Sequence, residues 1–491
     1  MENVRLRFAP SPTGPLHIGG ARSALFNYVL AKKYGGTFLV RMEDTDLERS
    51  NAASEENIKD SLKWLGMDWD EGVDVGGDYG PYRQTERLEL YNAAVKKLLE
   101  EGKAYYCFCS EEELDQEREE QSARGETPKY GGKCCHLTKE EQEERLAAGA
   151  KPVVRFKVPE HEEIVIDDLV RGRVVFETDG IGDFIIVKSD GIPVYNFAVV
   201  LDDTTMKISH IIRGEEHLSN TPRQVLLYDA LGYDKPQFAH ISLILGKDRS
   251  KMSKRHGSTS VVAYREDGYL PEALVNFLAL LGWSPEGEEE IFDMERLIAD
   301  FTLERVSKSP AVFDLDKLKW LNGMYIRKSA PERLLEFALP HLQKAGLIGE
   351  APDEEELDWA NTVTEALKNH ITAFSQLPAL ILRYRETVEY CGEVRTELKE
   401  LGQAAVTVMT AMVEKLENTE VVTSANYKAM LKEIKKETGI GGKNLYHSVR
   451  IAKTGSTEGP DMDKIAVIMG RDLMLERGRE FLAFMENLKD E

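Results

Sequence analysis

The stretch Arg7-Phe8-Ala9-Pro10-Ser11-Pro12-Thr13-Gly14-Pro15-Leu16-His17-Ile18-Gly19-Gly20 decides the reading of the fold. Ahead of and into it, Val4, Leu6 and Phe8 alternate with Arg5 and Arg7, the period of a short strand. Beyond it, Ala21, Ala24, Leu25, Tyr28 and Val29 recur at helical spacing, and Gly35-Gly36 stop the helix. Thr37-Phe38-Leu39-Val40 reads as a second strand. Strand, Pro/Gly-rich loop, helix, strand is the opening of a parallel βαβ unit. Ligands of such units sit beyond the carboxyl ends of the strands, beside a helix amino terminus that favours phosphate. Gly19 and Gly20 let a flat nucleotide approach the backbone, and His17 adds a donor. A turn that merely starts a helix fits the same residues. Neither common phosphate loop is present: no G-x-x-x-x-G-K-[ST] occurs, and no G-x-G-x-x-G follows this strand.

A second stretch sharpens the reading. Lys247-Asp248-Arg249-Ser250-Lys251-Met252-Ser253-Lys254-Arg255-His256-Gly257-Ser258 is polar and basic, and follows the apolar run Ile241 to Leu245. A loop carrying Lys251 and Lys254 can close on a polyphosphate and stabilise charge on departing pyrophosphate. A solvated basic loop is the plainer alternative.

Composition bounds the rest. Of 491 residues, 42% are apolar and 30% charged, enough for several domains with ample core. No apolar run approaches the roughly 18–20 residues of a membrane helix. Met1-Glu2 leads straight into a strand, so no signal peptide is expected. Five cysteines do not suggest a disulfide framework, and the expectation is a cytoplasmic protein with no membrane partner. The net charge of −23 argues against indiscriminate nucleic-acid binding, though local basic patches can still grip phosphates. Candidates are Lys428, Lys432, Lys435, Lys436, Lys443, Arg450 and Lys453. Cys107-x-Cys109 and, after 24 intervening residues, Cys134-x-His136 offer four soft ligands in two close pairs, suited to structural Zn²⁺, with Cys135 an alternative to Cys134.

The pair His17-Ile18-Gly19-Gly20 and Lys251-Met252-Ser253-Lys254-Arg255 resembles the two signatures of class I aminoacyl-tRNA synthetases. Ala9-Pro10-Ser11-Pro12-Thr13-Gly14, Arg41-Met42-Glu43-Asp44-Thr45-Asp46 and Gly80-Pro81-Tyr82-Arg83-Gln84 resemble the bacterial glutamyl branch specifically. Gly20 stands where the first signature usually has His, and Arg255 where the second often has Ser; both variants occur in that branch. The resemblance is strong through about Tyr325 and thins to helical character beyond.

The resemblance implies an α/β plus all-α protein: a Rossmann-like parallel-sheet catalytic domain with an inserted α+β acceptor-binding domain, then a helical anticodon-binding region. The expected boundaries are 1–102 and 196–248 for the two catalytic halves, with 103–195 the insert carrying the zinc site. Residues 249–330 would hold the lysine loop and a stem-contact domain, and 331–391 and 392–491 two helical subdomains. It implies ATP contacts at His17, Gly19, Gly20, Glu216, Lys251 and Lys254, with His17 and the two lysines catalytic. It implies glutamate contacts at Arg7, Ser11, Glu43, Tyr195 and Arg213; Val199 replaces a polar Asn of some relatives. Arg is the side chain whose planar fork matches a carboxylate. The implied zinc set is Cys107, Cys109, Cys134 and His136. Mg²⁺ would accompany ATP, and tRNA(Glu) would be the acceptor, with tRNA(Gln) left open and a monomer expected. Two rivals remain: a shortened relative that glutamylates a modified tRNA base, and a non-catalytic RNA-binding descendant. The roughly 160 helical residues after Ser329 speak against the first, and His17, Lys251 and Lys254 against the second.

Overall fold

Arg5–Phe8, Ile18–Lys33 and Thr37–Val40 form β1, α1 and β2. The computed structural model describes residues 3–252, 258–384, 386–459 and 461–489. β1 runs parallel to β2, from Arg5 opposite Thr37 to Phe8 opposite Val40. Leu6, Phe8, Phe38, Leu39 and Val40 are all buried, because helices cover both faces of such a sheet. α2 (Ala52–Trp64) starts at Asn51, whose side chain accepts the Ser54 N–H. β3 (Glu71–Gly72) adds a third parallel strand beside β2, and α3 (Leu88–Glu100) follows.

The chain then leaves this sheet. β4 (Ala104–Cys107), α4 (Glu111–Ala123), α5 (Lys139–Ala147), β5 (Val153–Phe156), β6 (Glu163–Asp168), β7 (Gly172–Glu177) and β8 (Phe184–Val187) form the intervening segment. β4, β5 and β8 make one antiparallel sheet, and β6 and β7 a separate hairpin. The charged run from Glu111 gives no apolar stripe, yet it is helical. Ser110 and Glu113 close a capping box, and three glutamates occupy the positive first turn. Its only buried residue is Gln121.

The parallel sheet resumes with α6 (Tyr195–Thr205), β9 (His210–Gly214), α7 (Thr221–Leu231) and β10 (Gln237–Ile241). β9 and β10 are parallel, and the Ser209 N–H donates to the Arg5 carbonyl at 3.0 Å, setting β9 beside β1. The chain therefore departs from β1 to β2 on one side and returns to β9 on the other. That reversal opens a crevice at the strand exits. β11 (Ile244–Leu245) pairs with a strand much further on, after α8 (Val261–Glu266), α9 (Pro271–Leu280) and α10 (Met294–Asp300); that partner is β12 (Ala311–Val312).

Residues 1–264 with 271–315 form one compact unit, and 265–270 with 316–491 a second. The second is helical: α11 (Leu315–Lys328), α12 (Pro331–Lys344), α13 (Glu354–Leu367), α14 (Leu377–Arg383), α15 (Gly392–Glu417), α16 (Ser424–Thr438), α17 (Lys443–Thr454) and α18 (Met462–Lys489). α15 and α18 bend at Gly402 (φ 45°) and Gly470 (φ 70°), left-handed values that a side chain would resist. Leu398, Met409, Met412, Tyr427, Ile434, Ile451 and Phe481 belong to one core shared by α15 to α18. The expected basic face is narrower than its sequence implies. Lys453 is buried, 1% exposed, with Nζ 2.7 Å from the Tyr427 hydroxyl and over its ring. Lys428 pairs with Asp463 and Lys443 with Glu397.

Candidate active site

At the exits of β1 and β9 lies a cleft of about 690 Å³. Arg7, Ser11, His17, Gly19, Gly20, Glu43, Tyr195, Arg213 and Glu216 all line it, together with Gln84, His217 and Asn220. Residues up to 213 positions apart in the chain thus meet in one place.

His17 is the N-cap of α1, and its Nδ1 accepts the Gly19 N–H at 3.1 Å. That role fixes the tautomer and leaves Nε2–H as the donor. Desolvation lowers the His17 pKa, aided by the Lys251 charge and opposed by Glu216, so the ring is neutral. The Gly19 amide is therefore already satisfied by His17. The Ile18 N–H donates to Thr259 O (2.8 Å), and Val261 N–H to Leu16 O (2.9 Å). On the other side of the basic stretch, Met252 N–H donates to Ile244 O (3.1 Å), and Lys251 bridges Leu245. The segment after the basic stretch is thus tied directly to the His17 motif. Lys254 itself lies outside the described residues.

The two arginines predicted to bind a carboxylate differ in what they already hold. Arg7 donates from two nitrogens to both oxygens of Asp203, at 3.1 and 3.2 Å. Fully buried Arg41 donates to the same Asp203 (2.8 Å) and to Glu43 (3.0 Å). Burial pushes the Asp203 pKa up, but Arg7 and Arg41 outweigh it and hold it below the ordinary carboxylate value. Burial wins at Glu43 and raises its pKa against the pull of Arg41. Arg7 and Glu43 thus belong to a closed, charge-balanced network.

Arg213 is buried to the same degree, 5% exposed, but its partners are neutral. Nε donates to His240 Nε2 (3.1 Å), one terminal nitrogen to the Tyr195 hydroxyl (3.3 Å), and the other to Thr221 Oγ1 (2.9 Å) and Gln224 Oε1 (2.8 Å). Among the described residues no carboxylate pairs with it. A desolvated guanidinium without a counter-ion is costly, and an anion entering the cleft would relieve it. His217 Nδ1 lies 3.1 Å from the Tyr195 hydroxyl, its pKa driven down to about 4 by burial and then by Arg213.

Asp203 was the residue that sequence reasoning passed over. Its partners Arg7 and Arg41 are about 160 to 200 positions away in the chain. Asp203→Asn should cost roughly 3–5 kcal/mol of stability, since two buried guanidiniums would lose their shared counter-ion. Urea unfolding measures this; a loss under 1 kcal/mol would show that the network is dispensable.

In the intervening segment, the Sγ atoms of Cys107, Cys109 and Cys134 lie within 4.8 Å of one another. The Tyr130 hydroxyl stands 3.4 Å from Cys107 Sγ and 3.6 Å from Cys109 Sγ, and accepts the Cys134 N–H at 2.9 Å. Exposed His136 and half-buried Cys135 are not part of this group. Of the expected four ligands, the fold gathers three thiols and sets a phenol oxygen beside them. Three thiols and one oxygen at this spacing fit a tetrahedral Zn²⁺.

Residues 3–320 match the family model of the class I tRNA synthetase (E and Q) catalytic domain, and 333–482 that of an anticodon binding domain. A glutamate–tRNA ligase of Carboxydothermus hydrogenoformans is 59% identical over 95% of this chain and 97% of its own. One from Heliobacterium modesticaldum is 56% identical over 98% of this chain and 97% of its own. The crystal structure of a glutamate tRNA ligase from Elizabethkingia meningosepticum in complex with its amino acid superposes with a TM-score of 0.84. It shares 35% identity and covers 99% of this chain and 100% of its own. The shortened and the non-catalytic alternatives lose their ground, since both halves of the relatives' architecture and the cleft are present. With that extent of identity, the chain belongs to the class I tRNA synthetases of the glutamate and glutamine group, and within it to the glutamate–tRNA ligases.

Proposed function

We propose that this glutamate–tRNA ligase activates its amino acid in the cleft at the β1 and β9 exits, with Arg213 taking the side-chain carboxylate. The uncompensated guanidinium carries this reading, because it is the one buried charge of the cleft floor that the described residues leave unbalanced. Glutamine would present a neutral amide and leave Arg213 unbalanced, so discrimination follows from charge. Glu43, Ser11 and Tyr195 would surround the ammonium and α-carboxylate, with Arg7 steering the latter from within its network.

The α-carboxylate of glutamate attacks the α-phosphorus of ATP, forming glutamyl-adenylate and releasing pyrophosphate. The terminal adenosine hydroxyl of tRNA(Glu) then attacks the anhydride, giving glutamyl-tRNA and AMP. No protein base is required in the first step, because the nucleophile is already ionised. Alignment and charge stabilisation are what the chain contributes. His17 donates Nε2–H to a phosphate, Gly19, Gly20 and Glu216 border the nucleotide, and Lys251 and Lys254 meet charge on the departing pyrophosphate. Mg²⁺, entering with ATP, would share in neutralising that charge.

Zn²⁺ would be held by Cys107, Cys109, Cys134 and Tyr130, none of which lines the cleft, in a structural role. No helix among the described residues is long and apolar enough to cross a membrane. The family resemblance supports a cytoplasmic monomer.

Glutamate-dependent ATP–pyrophosphate exchange, run with tRNA(Glu) present, tests the reading. Glutamate should support exchange and glutamine should not; equal exchange with glutamine would remove Arg213 as selector. Repeating it with tRNA(Gln) decides whether that tRNA is also accepted. In the same assay Lys254→Ala should slow activation at least about tenfold, or 1.4 kcal/mol on the barrier. Wild-type kinetics in that variant would take Lys254 out of the chemistry.

A further inference from the structure

We infer that Asp168 and His240 are positioning residues that set the orientation of the Arg213 guanidinium, and so the affinity for glutamate. The inference rests on the reading that Arg213 takes the substrate carboxylate.

Asp168 ends β6, in the segment between the two halves of the parallel sheet, whereas His240 and Arg213 are direct neighbours on β10 and β9. The side chains of Asp168 and His240 are both fully buried, and Asp168 Oδ2 lies 2.6 Å from His240 Nδ1. The same carboxylate accepts the backbone N–H groups of Val170 (2.9 Å), Arg171 (2.7 Å) and His240 (3.1 Å). Burial pushes its pKa up, but these donors, His240 foremost, bring it below the ordinary value, so it is ionised.

An ionised carboxylate only accepts, so Nδ1 must carry the imidazole proton. Nε2 is then a lone pair, and it accepts Nε–H of Arg213 at 3.1 Å. Thr221 Oγ1 lies 3.0 Å from that Nε2 and also accepts from Arg213. With Gln224 and Tyr195 completing the set, four of the five guanidinium N–H groups are committed. The one left is on the nitrogen that reaches Tyr195, at the wall of the cleft. Asp168 thus fixes the His240 tautomer, and the tautomer fixes which guanidinium edge meets the substrate.

The β6–β7 turn is fastened at this place. Arg171 donates to the carbonyls of His240 (3.2 Å) and Lys308 (2.7 Å), and pairs with Glu215, which accepts the Leu243 N–H. The charged and titratable groups facing His240 are therefore Asp168 and Arg171 from the hairpin, Arg213 from β9, and His217 beyond the β9 exit. α7 contributes only the neutral Thr221 and Gln224, and Phe238 stacks on the ring from β10. A proton on Nε2 would face Arg213 Nε–H and turn the guanidinium away. Burial lowers the His240 pKa from 6.5, so this loss belongs below pH 6.5.

Steady-state aminoacylation by the full chain, with tRNA(Glu), across about pH 5.5 to 8 provides the test. Asp168→Asn lets an amide N–H donate to Nδ1 and moves the proton to Nε2. It should raise the KM for glutamate about tenfold or more, with kcat and the KM for ATP within about threefold. His240→Gln keeps an acceptor near the place of Nε2 without a titration. Its glutamate KM should stay within about threefold of wild type, and the acid rise in KM should disappear. His240→Asn falls short of Arg213 and should resemble Asp168→Asn. Folded Asp168→Asn and His240→Asn proteins with wild-type glutamate KM would overturn the inference. So would parallel losses in the KM values for glutamate and ATP, which is what general loosening gives. Should Asp168→Asn fail to fold, the His240→Gln and His240→Asn pair decides alone, and equal behaviour of the two overturns the inference. Arg213→Gln separates the layers: if it leaves glutamate KM unchanged, the assignment of Arg213 fails. If it raises KM while the Asp168 and His240 variants do not, only the positioning role fails.

Discussion

Arg213→Gln should raise the KM for glutamate at least about a hundredfold while leaving the unliganded protein as stable as before, or more so. The two halves of this expectation come from one fact: a guanidinium held in the cleft floor by four neutral groups. Charged hydrogen bonds in a dry site contribute on the order of 1.5–3 kcal/mol each, and a carboxylate meeting Arg213 would lose its counter-charge as well. Without substrate the account reverses. The buried cation costs desolvation that no carboxylate among the described residues offsets, and the amide of glutamine carries no such cost. Arg7 behaves in the opposite way, because removing it leaves the buried Asp203 with Arg41 alone, so Arg7→Gln should lower stability. Thermal unfolding without ligands, beside glutamate titrations, reads both quantities. An unchanged glutamate KM, or a loss of stability comparable to that of Asp203→Asn, would show that Arg213 is structural.

The contrast between those two arginines marks the limit of what the chain reveals before it folds. Both sit at strand ends, where the crevice lies, and the family resemblance marks both as carboxylate partners. What distinguishes them is the residue opposite, and Asp203 is 196 positions from Arg7. The same limit hid Asp168. Its strand alternates exposed and buried positions from Glu163 to Asp168, but alternation cannot say that the last residue reaches a histidine 72 positions away. α6 went unread for a different reason: Phe197 to Asp203 is buried throughout, so no polar face betrays a helical period. α4 failed at the other extreme, with no apolar stripe and a capping box as its only local signal. At the thiols, spacing and ligand preference favoured His136, whereas the path of the loop carries His136 to the surface and Tyr130 inward.

That last difference leads to the second large effect: stripping Zn²⁺ should unfold roughly residues 108–150 while the parallel sheet survives. The buried core at the thiols is only Tyr105, Cys107 and Cys134, with a few half-buried neighbours. α5 has no buried residue, and α4 buries only Gln121. So little apolar burial cannot offset about 1–2 kcal/mol of backbone entropy for each ordered residue. A structural zinc supplies on the order of 10–16 kcal/mol at neutral pH, a large contribution beside so small a core. Purified protein should contain about one zinc per chain, and chelation should speed proteolysis and amide exchange in 108–150 well before β1, β2, β9 and β10 exchange. Cys109→Ala should reproduce that pattern, and Tyr130→Phe should weaken metal retention by about tenfold or more. His136→Ala should retain the metal; a variant that loses zinc there while Tyr130→Phe keeps it would return His136 to the ligand set. A protein that holds no zinc and resists protease equally before and after chelation would mean that the thiols, and not a metal, are what the segment folds around.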